Sequence, residues 1–560
     1  MKRSRFSALA LTLVAVLALG GCASIPRSGG VNAGHPIDRA QDPDVLYIPR
    51  GPERDASPEE ILNGFIEAAS SPANNYATAR EFLDERLAGS WKPDARAILE
   101  EAEHRRLEFD GEDPTAARLS VVPVANVDDR GQYTAETNGR PMVMDFGFRQ
   151  VQGQWRISKA PDGVILDPIK FRDVFKPYSL RFFDPTWTHL VPEVRWFPSR
   201  ASTSTNIVKA LLAGPSEWLA GAVSSAFPEG TRLSADSVPT ANSVAEVDLT
   251  REASGIDDLT LRRMQLQLTA SLSDVTAIDA VNMRINGVPQ EIAPLTLAAP
   301  RTDSRPLVLT EAGFGFLTED MLERLPVAAP AVEALDPGAA AAGPDQEVIA
   351  VRSAAGVSAV RAGAAVVVDA RGGLIGPAVD PSGIIWTVPQ ESPNELYVIN
   401  AANEQKRLPV SWPEASEIVS LQVSQDGARV LALVRTGGKN SLLISGIERD
   451  NTGLPVRLGE PIRVAAAAGK PLSATWVDET SVASLASSES GLGQIVHSTV
   501  GGRSDSLVSV PGAVQLVGGS TIQQFRLLTE AGDLKVWRSG AWQDAAENIL
   551  LIAPMQGSVR

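Results

Sequence analysis

Cys22 is the single thiol in 560 residues, and a thiol is the side chain that can carry a thioether-linked lipid. It closes the stretch Leu19-Gly20-Gly21-Cys22. With that sulfur modified, no thiol remains for a disulfide, a thiolate metal site or a cysteine nucleophile. The other groups capable of chemistry are scattered. His35, His104, His189 and His497 show no metal-ligand spacing, and no His-Glu-x-x-His occurs. There is no Gly-x-Ser-x-Gly elbow. Gly437-Gly438-Lys439-Asn440 and Gly469-Lys470-Pro471 lack the upstream glycine and following hydroxyl of a phosphate loop, and Gly313-Phe314-Gly315 lacks a third glycine. Asp128-Asp129 and Asp257-Asp258 sit in polar turns and read as solvated surface. The expectation is a protein that is not an enzyme, with no metal and no cofactor. A catalytic dyad assembled across domains is the alternative.

The elements that place Cys22 are at the amino terminus. Lys2, Arg3 and Arg5 form a positive segment with no acidic residue before Cys22, and Phe6 to Leu19 is apolar. That run is shorter than the ~20 apolar residues of a spanning helix and reads as a cleavable export signal. A cysteine directly after the small residues resembles the lipobox of bacterial lipoproteins. The resemblance implies lipidation of the Cys22 sulfur, cleavage between Gly21 and Cys22, and acylation, as with palmitate, of the new amino terminus. Several acyl chains, at ~0.8 kcal/mol per buried methylene, give a stable anchor where one is marginal. The alternative is a soluble secreted protein in which the cysteine stands there by chance.

No second apolar run approaches membrane length, so everything after Cys22 is expected on one side of a membrane. With 51 Lys and Arg against 67 Asp and Glu, the net charge is −16. A chain this acidic is a poor partner for nucleic acid or anionic lipid. Hydrophobic content of 44% with 21% charged residues is that of globular protein, and the length calls for about three domains.

Residues 1–21 are the signal, and residues 22–55, rich in Gly, Pro, Ser and Asp, read as a tether. Residues 56–175 form an α+β domain. Ser57-Pro58-Glu59-Glu60 is a capping box opening a helix that buries Ile61, Leu62, Phe65 and Ile66. A second helix is expected from about Asn75, and Ala95 to Arg106 looks helical. Strands follow at Leu119–Val127, Gln132–Thr137, Met142–Val151 and Gln154–Ser158, with turns at Gly131, Asn138-Gly139 and Gly153. The pattern resembles a cone-shaped, cystatin-like fold in which a curved sheet wraps a helix.

Residues 176–300 form a second α+β domain. A helix through Ile207, Val208, Leu211 and Leu212 ends at Gly214-Pro215. Pro228-Glu229-Gly230-Thr231, the strand Val244–Leu249, a helical stripe of Leu261, Met264, Leu268 and Leu272, and the strand Val281–Ile285 follow. This order resembles the GerMN domain of spore-germination and cell-envelope proteins, over Val194 to Ile292.

Residues 301–560 are β-rich. Loops with Asp or Gly lead into strands at Asp380–Trp386, Ser424–Val430, Trp476–Val482 and Glu530–Trp537, roughly 45 to 55 residues apart. That is blade spacing for a β-propeller, whose repeat is ~40–50 residues. The length holds about five blades, or six with tight turns, and Ile549–Ile552 is placed to pair with Leu307–Leu309. Residues 326–344, rich in Ala and Pro, read as an exposed insertion. Two packed β-sandwiches are the alternative.

The lipobox, the three domains, Phe183-Asp184-Pro185 and Leu190-Val191-Pro192-Glu193-Val194-Arg195-Trp196 together resemble the LpqB lipoproteins of actinobacteria. The resemblance implies an accessory lipoprotein on the extracytoplasmic face of the cell membrane. Its implied partner is the extracellular domain of a sensor histidine kinase like MtrB, which acts on the response regulator MtrA to control cell-wall and division functions. The surface near Trp196 is the expected contact. A module binding cell-wall glycan or muropeptide is the competing class, disfavoured by an aromatic content of 5%.

Overall fold

The structure, a computed structural model, describes residues 49–110, 113–136, 139–319 and 321–558. Gly21, Cys22, His35 and the tether up to residue 48 lie outside the described residues. No helix among the described residues is long and apolar enough to cross a membrane.

The capping box forms as its spacing requires. Ser57 Oγ accepts from the Glu60 N–H at 3.3 Å, and Glu60 Oε2 accepts from the Ser57 N–H at 2.7 Å. The helix Pro58–Ala68 buries Ile61, Leu62, Phe65 and Ile66. It shares one core with two four-stranded sheets. One sheet runs in the order 133–135, 123–128, 96–100, 164–166; the other runs 106–110, 113–121, 142–151, 154–159.

The Ala95 to Arg106 stretch corrects the helical expectation. Arg96–Glu100 is a central strand, antiparallel to 123–128 and parallel to 164–166. Ala97, Ile98 and Leu99 are all buried there. Pairing on both edges overrides the helix propensity of Ala, Leu and Glu.

In the second domain, the strands Phe175–Phe183 and Leu190–Pro198 form an antiparallel pair. The helix Thr203–Leu212 ends at Gly214, whose φ of +88° suits a residue without a Cβ. The helix Asp258–Leu272 crosses between the parallel strands Val244–Leu249 and Ala280–Ile285. It buries Met264, Leu268 and Leu272 at the centre of the core.

From residue 307 the chain builds six sheets. Their innermost strands are 551–553, 339–342, 378–379, 417–423, 470–476 and 513–517, and each packs against the next around a closed ring. This is a propeller of six blades, the tight-turn alternative to the five expected. The first blade is completed by the chain's end: Leu307, Val308 and Leu309 pair with Ala553, Ile552 and Leu551, as their apolar pattern anticipates.

The Ala/Pro-rich stretch, expected as an exposed insertion, is in part built into the ring. Ala329–Glu333 is a short helix with Ala329 and Val332 buried. Ala339–Ala342 is the inner strand of the second blade, where strands converge on the axis and small side chains fit. Three of the Asp loops, at Asp380, Asp426 and Asp478, join the inner two strands of successive blades. The fourth, at Glu530–Asp533, falls one strand further out, in the sixth blade.

Candidate interaction surfaces

The motif residues that single out this chain meet at an internal joint. Every residue of 191–198 is buried, so both faces of the strand Leu190–Pro198 are covered. Val194 and Trp196 belong to the core of residues 56–175, while Val191 and Phe197 belong to the core of the second domain. The Trp196 ring lies 5.1 Å from Phe171 and 6.0 Å from Tyr133, centre to centre. Its backbone N–H donates to Gly131 O at 2.8 Å, and its Nε1–H donates to Gly501 O, in the fifth blade, at 2.9 Å. A Cβ on Gly131 would lie 2.9 Å from the Phe197 ring, so this turn needs glycine. Trp196 is therefore where all three domains are fastened, and it offers no surface to a partner.

The rest of the motif is also structural. Arg195 and Glu193 are a buried ion pair at 3.1 Å. Arg195 also donates to Arg130 O at 2.9 Å and to Ser216 Oγ at 3.1 Å, and Glu193 Oε2 accepts from the Ser216 N–H at 3.3 Å. Asp184 holds its loop by accepting from the N–H groups of Thr186, Thr188 and His189 at 2.9, 2.8 and 2.6 Å.

A second contact runs from this domain to the propeller. Arg181 makes two bonds to the Glu479 carboxylate at 2.8 and 2.7 Å. The helix Glu217–Ala220 sits on the fourth blade, where a Cβ on Gly446 would lie 2.8 Å from Trp218 O. Arg429, fully buried, stacks 4.7 Å over the Trp476 ring, donates to Glu479 O at 2.7 Å and pairs with Asp426.

Burial alone would raise the Asp426 carboxyl, but the Arg429 guanidinium, Ser424 Oγ and the Ala428 N–H override it and hold it below the ordinary carboxylate range. Its folded-state pKa thus lies below the unfolded value of about 3.9. The stabilisation is complete above that value and is lost as pH falls through the folded one. Asp426→Asn is expected to cost about 3–5 kcal/mol at pH 7, because it leaves a buried guanidinium unpaired. In calorimetry the gap to the parent should narrow below pH 4. A gap that stays constant with pH would contradict this account.

The residues considered for chemistry do not converge. Asp257 caps the helix Asp258–Leu272, accepting from the Thr260 N–H at 3.0 Å, and Asp258 pairs with Arg262 at 2.9 Å. Asp128 closes a turn onto Arg130 and Gln132. His104 lies beside Glu101 and Glu103 on an exposed turn, with His104 Nδ1 3.3 Å from Glu101. His189 Nδ1 meets Thr188 Oγ1 at 2.8 Å. Burial pushes the His497 imidazole down, with Asp478 and Asp505 opposing in part.

Among the surfaces open to a partner is the rim of the propeller. The outermost strands of five blades carry exposed charge: Glu323 and Arg324, Lys406 and Arg407, Arg457, Asp505, and Asp544. Such charges block strand pairing at a sheet edge. The second blade's outer strand, Ala364–Asp369, has none along its exposed part. Ala364, Ala365, Val366 and Val367 are exposed in succession, with Val366 and Val367 about half so. Among the described residues it pairs only with 356–361. Val327, 62% exposed, lies beside Gly363 at its start. Sequence reasoning passed over this strand. The signal was the apolar run Ala364–Val368, where a half-exposed strand should alternate.

Three family models match the chain. They are the Lipoprotein LpqB N-terminal domain at residues 51–172, a sporulation and spore germination domain at 179–291, and the Lipoprotein LpqB beta-propeller domain at 316–549. Lipoprotein LpqB of Bifidobacterium longum is 26% identical over 448 residues, 76% of this chain and 75% of that one. Lipoprotein LpqB of Streptomyces coelicolor is 26% identical over 609 residues, 96% of each chain. Among solved structures, the first GerMN domain of the sporulation protein GerM from Bacillus subtilis is 22% identical, covering 22% of this chain and 94% of that one, with a TM-score of 0.19.

Proposed function

Because the chain belongs to the LpqB lipoprotein family, we propose that it is a lipid-anchored accessory protein that docks on the extracellular domain of an MtrB-like sensor kinase and modulates it. The observation that carries this reading is the uncharged outer strand Ala364–Val367, an open edge on an otherwise charge-guarded rim. An extended strand of a partner adds to such an edge through main-chain hydrogen bonds, and the exposed valines supply apolar contact. Anchoring at the membrane surface raises the effective concentration for a membrane-embedded partner, so modest affinity suffices.

Val366→Lys with Val367→Lys tests the docking. Both side chains are half exposed, so stability is expected to change by no more than about 0.5 kcal/mol each. Binding of the lipid-free protein to the kinase's extracellular domain should fall at least about tenfold, since each ammonium would lose hydration in the contact. Unchanged binding would remove this edge from the proposal. No binding by the parent protein, with kinase output unchanged in cells lacking it, would promote the cell-wall ligand instead.

The anchor has its own test. Cys22→Ala is expected to release the protein from membranes or leave it unprocessed, as read from cell fractions and intact mass. Normal processing with full retention through an alkaline wash would contradict lipidation at Cys22.

A further inference from the structure

The inner strands of the six blades enclose an axial channel of about 410 Å³, within the range of small-ligand sites. Its two ends differ. One is closed by the last described residues of the chain. Ala342 and Gln556 bind this segment to the second blade, through Ala342 N–H to Pro554 O and Gln556 N–H to Ala342 O, both at 2.9 Å. The Gln556 amide nitrogen donates to Val379 O at 2.8 Å and to Val423 O at 3.1 Å, reaching the third and fourth blades. Gln425 Nε2 donates to Met555 O at 2.9 Å, and its Oε1 accepts from the Gly557 N–H. Gln425 also lines the cleft beneath residues 175–300, so this floor faces the second domain.

The other end is open. Val419, Leu472, Val514 and Leu550, one from each of four blades, line the channel where their inner strands begin, and Val514 and Leu550 are 37% and 61% exposed. Arg352, which donates to Gly338 O at 3.0 Å where the second blade's inner strand begins, is the one charged side chain among the lining residues. Ser420, Gln422, Ser473, Thr475 and Gln515 are occupied in tying neighbouring inner strands together. The floor is different. With its amide nitrogen committed to two carbonyls, Gln556 must present Oε1 as an acceptor. That oxygen is buried and has no donor among the described residues, and Gln556 as a whole is 8% exposed. A buried acceptor left unpaired is costly, so it marks a place for a donor from outside the chain.

We propose that this channel binds a short, uncharged peptide segment with alanine-sized side chains. The segment enters past Val514 and Leu550 and gives a backbone N–H to Gln556 Oε1. The aliphatic collar suits methyl side chains, and a lining whose one charge is Arg352 at the open end leaves a run of ionised side chains unbalanced further in. The channel is separate from the outer edge Ala364–Val367, so each site is tested without the other.

The test uses the lipid-free mature protein and N-acetyl-tetraalanine amide, followed by calorimetry and by intrinsic fluorescence compared between the parent and Trp476→Phe, since Trp476 lines the bore. Saturable binding is expected, with none for N-acetyl-tetraglutamate amide. Val514→Asp, at the exposed collar, should weaken binding about tenfold or more while leaving the melting temperature unchanged, because it places a charge where the ligand must desolvate it. Gln556→Met should weaken it too, but that variant also unlaces the floor, so the collar variant decides. No saturation up to the solubility limit of the peptide, equal binding of the glutamate peptide, or affinity unaltered by Val514→Asp would each overturn the proposal.

Discussion

Removing residues 549–560 is expected to abolish cooperative folding of the propeller. The lost strand supplies Leu551, Ile552 and Ala553, all buried, and their three pairs with Leu307, Val308 and Leu309. Burial of Leu551 and Ile552 is worth about 1.5–3 kcal/mol each. Ile549 and the segment 554–558 add the cover of the sixth blade and the floor of the channel. The sum approaches the whole stability of a domain, about 5–15 kcal/mol. Opening the ring also bares the edge of 307–310 and uncovers the inner strands of the second and sixth blades, which packed against 551–553. Residues 175–300 keep a core of their own, so protection of their amides in hydrogen exchange should persist while that of 307–548 collapses. Melting of the truncated chain at the parent temperature would refute closure by this strand.

Trp196→Ala is expected to uncouple the domains. Truncating a buried tryptophan costs about 3–5 kcal/mol, and here the loss falls on three bodies at once. The Tyr133 and Phe171 rings lose their neighbour, and Gly501 O loses its donor. Calorimetry should show the parent's transition divide, with residues 56–175 melting first. Trp196→Phe keeps an aromatic ring and loses the Nε1–H, so its cost should be near that of one hydrogen bond, about 1 kcal/mol. If the alanine variant melts in one transition at the parent temperature, the joint described here does not govern coupling between the domains.

How much of this was legible depended on how local the cause was. The Ser57 capping box, the stripe of Met264, Leu268 and Leu272, and the strand 142–151 are set by residues within a few positions of one another, and all appear where the pattern places them. The Leu307–Leu309 and Leu551–Ala553 pairing is distant but was readable, because two apolar runs at the ends of a repeat array have one obvious use. Arg96–Glu100 misled, since its partners at 123–128 and 164–166 decide its state and its own residues favour a helix. Ala339–Ala342 misled for another reason: small residues look like a linker unless the crowding at a propeller axis is known. The role of Trp196 had no local signal, because Gly501 lies 305 positions away. Its place in a distinctive motif suggested a surface for recognition, and the same conspicuousness has its cause in a joint.

Closure of the first blade by 551–553 also sets an order of events during folding. The strand 307–310 precedes its partner by some 240 positions and must wait for it. Until then Leu307 and Val308 have an uncovered side, and the ring is a curved, unsealed row of blades with two bare ends. The final strand therefore acts as a proof of completion. A chain cut short anywhere ahead of Leu551 cannot hide that edge.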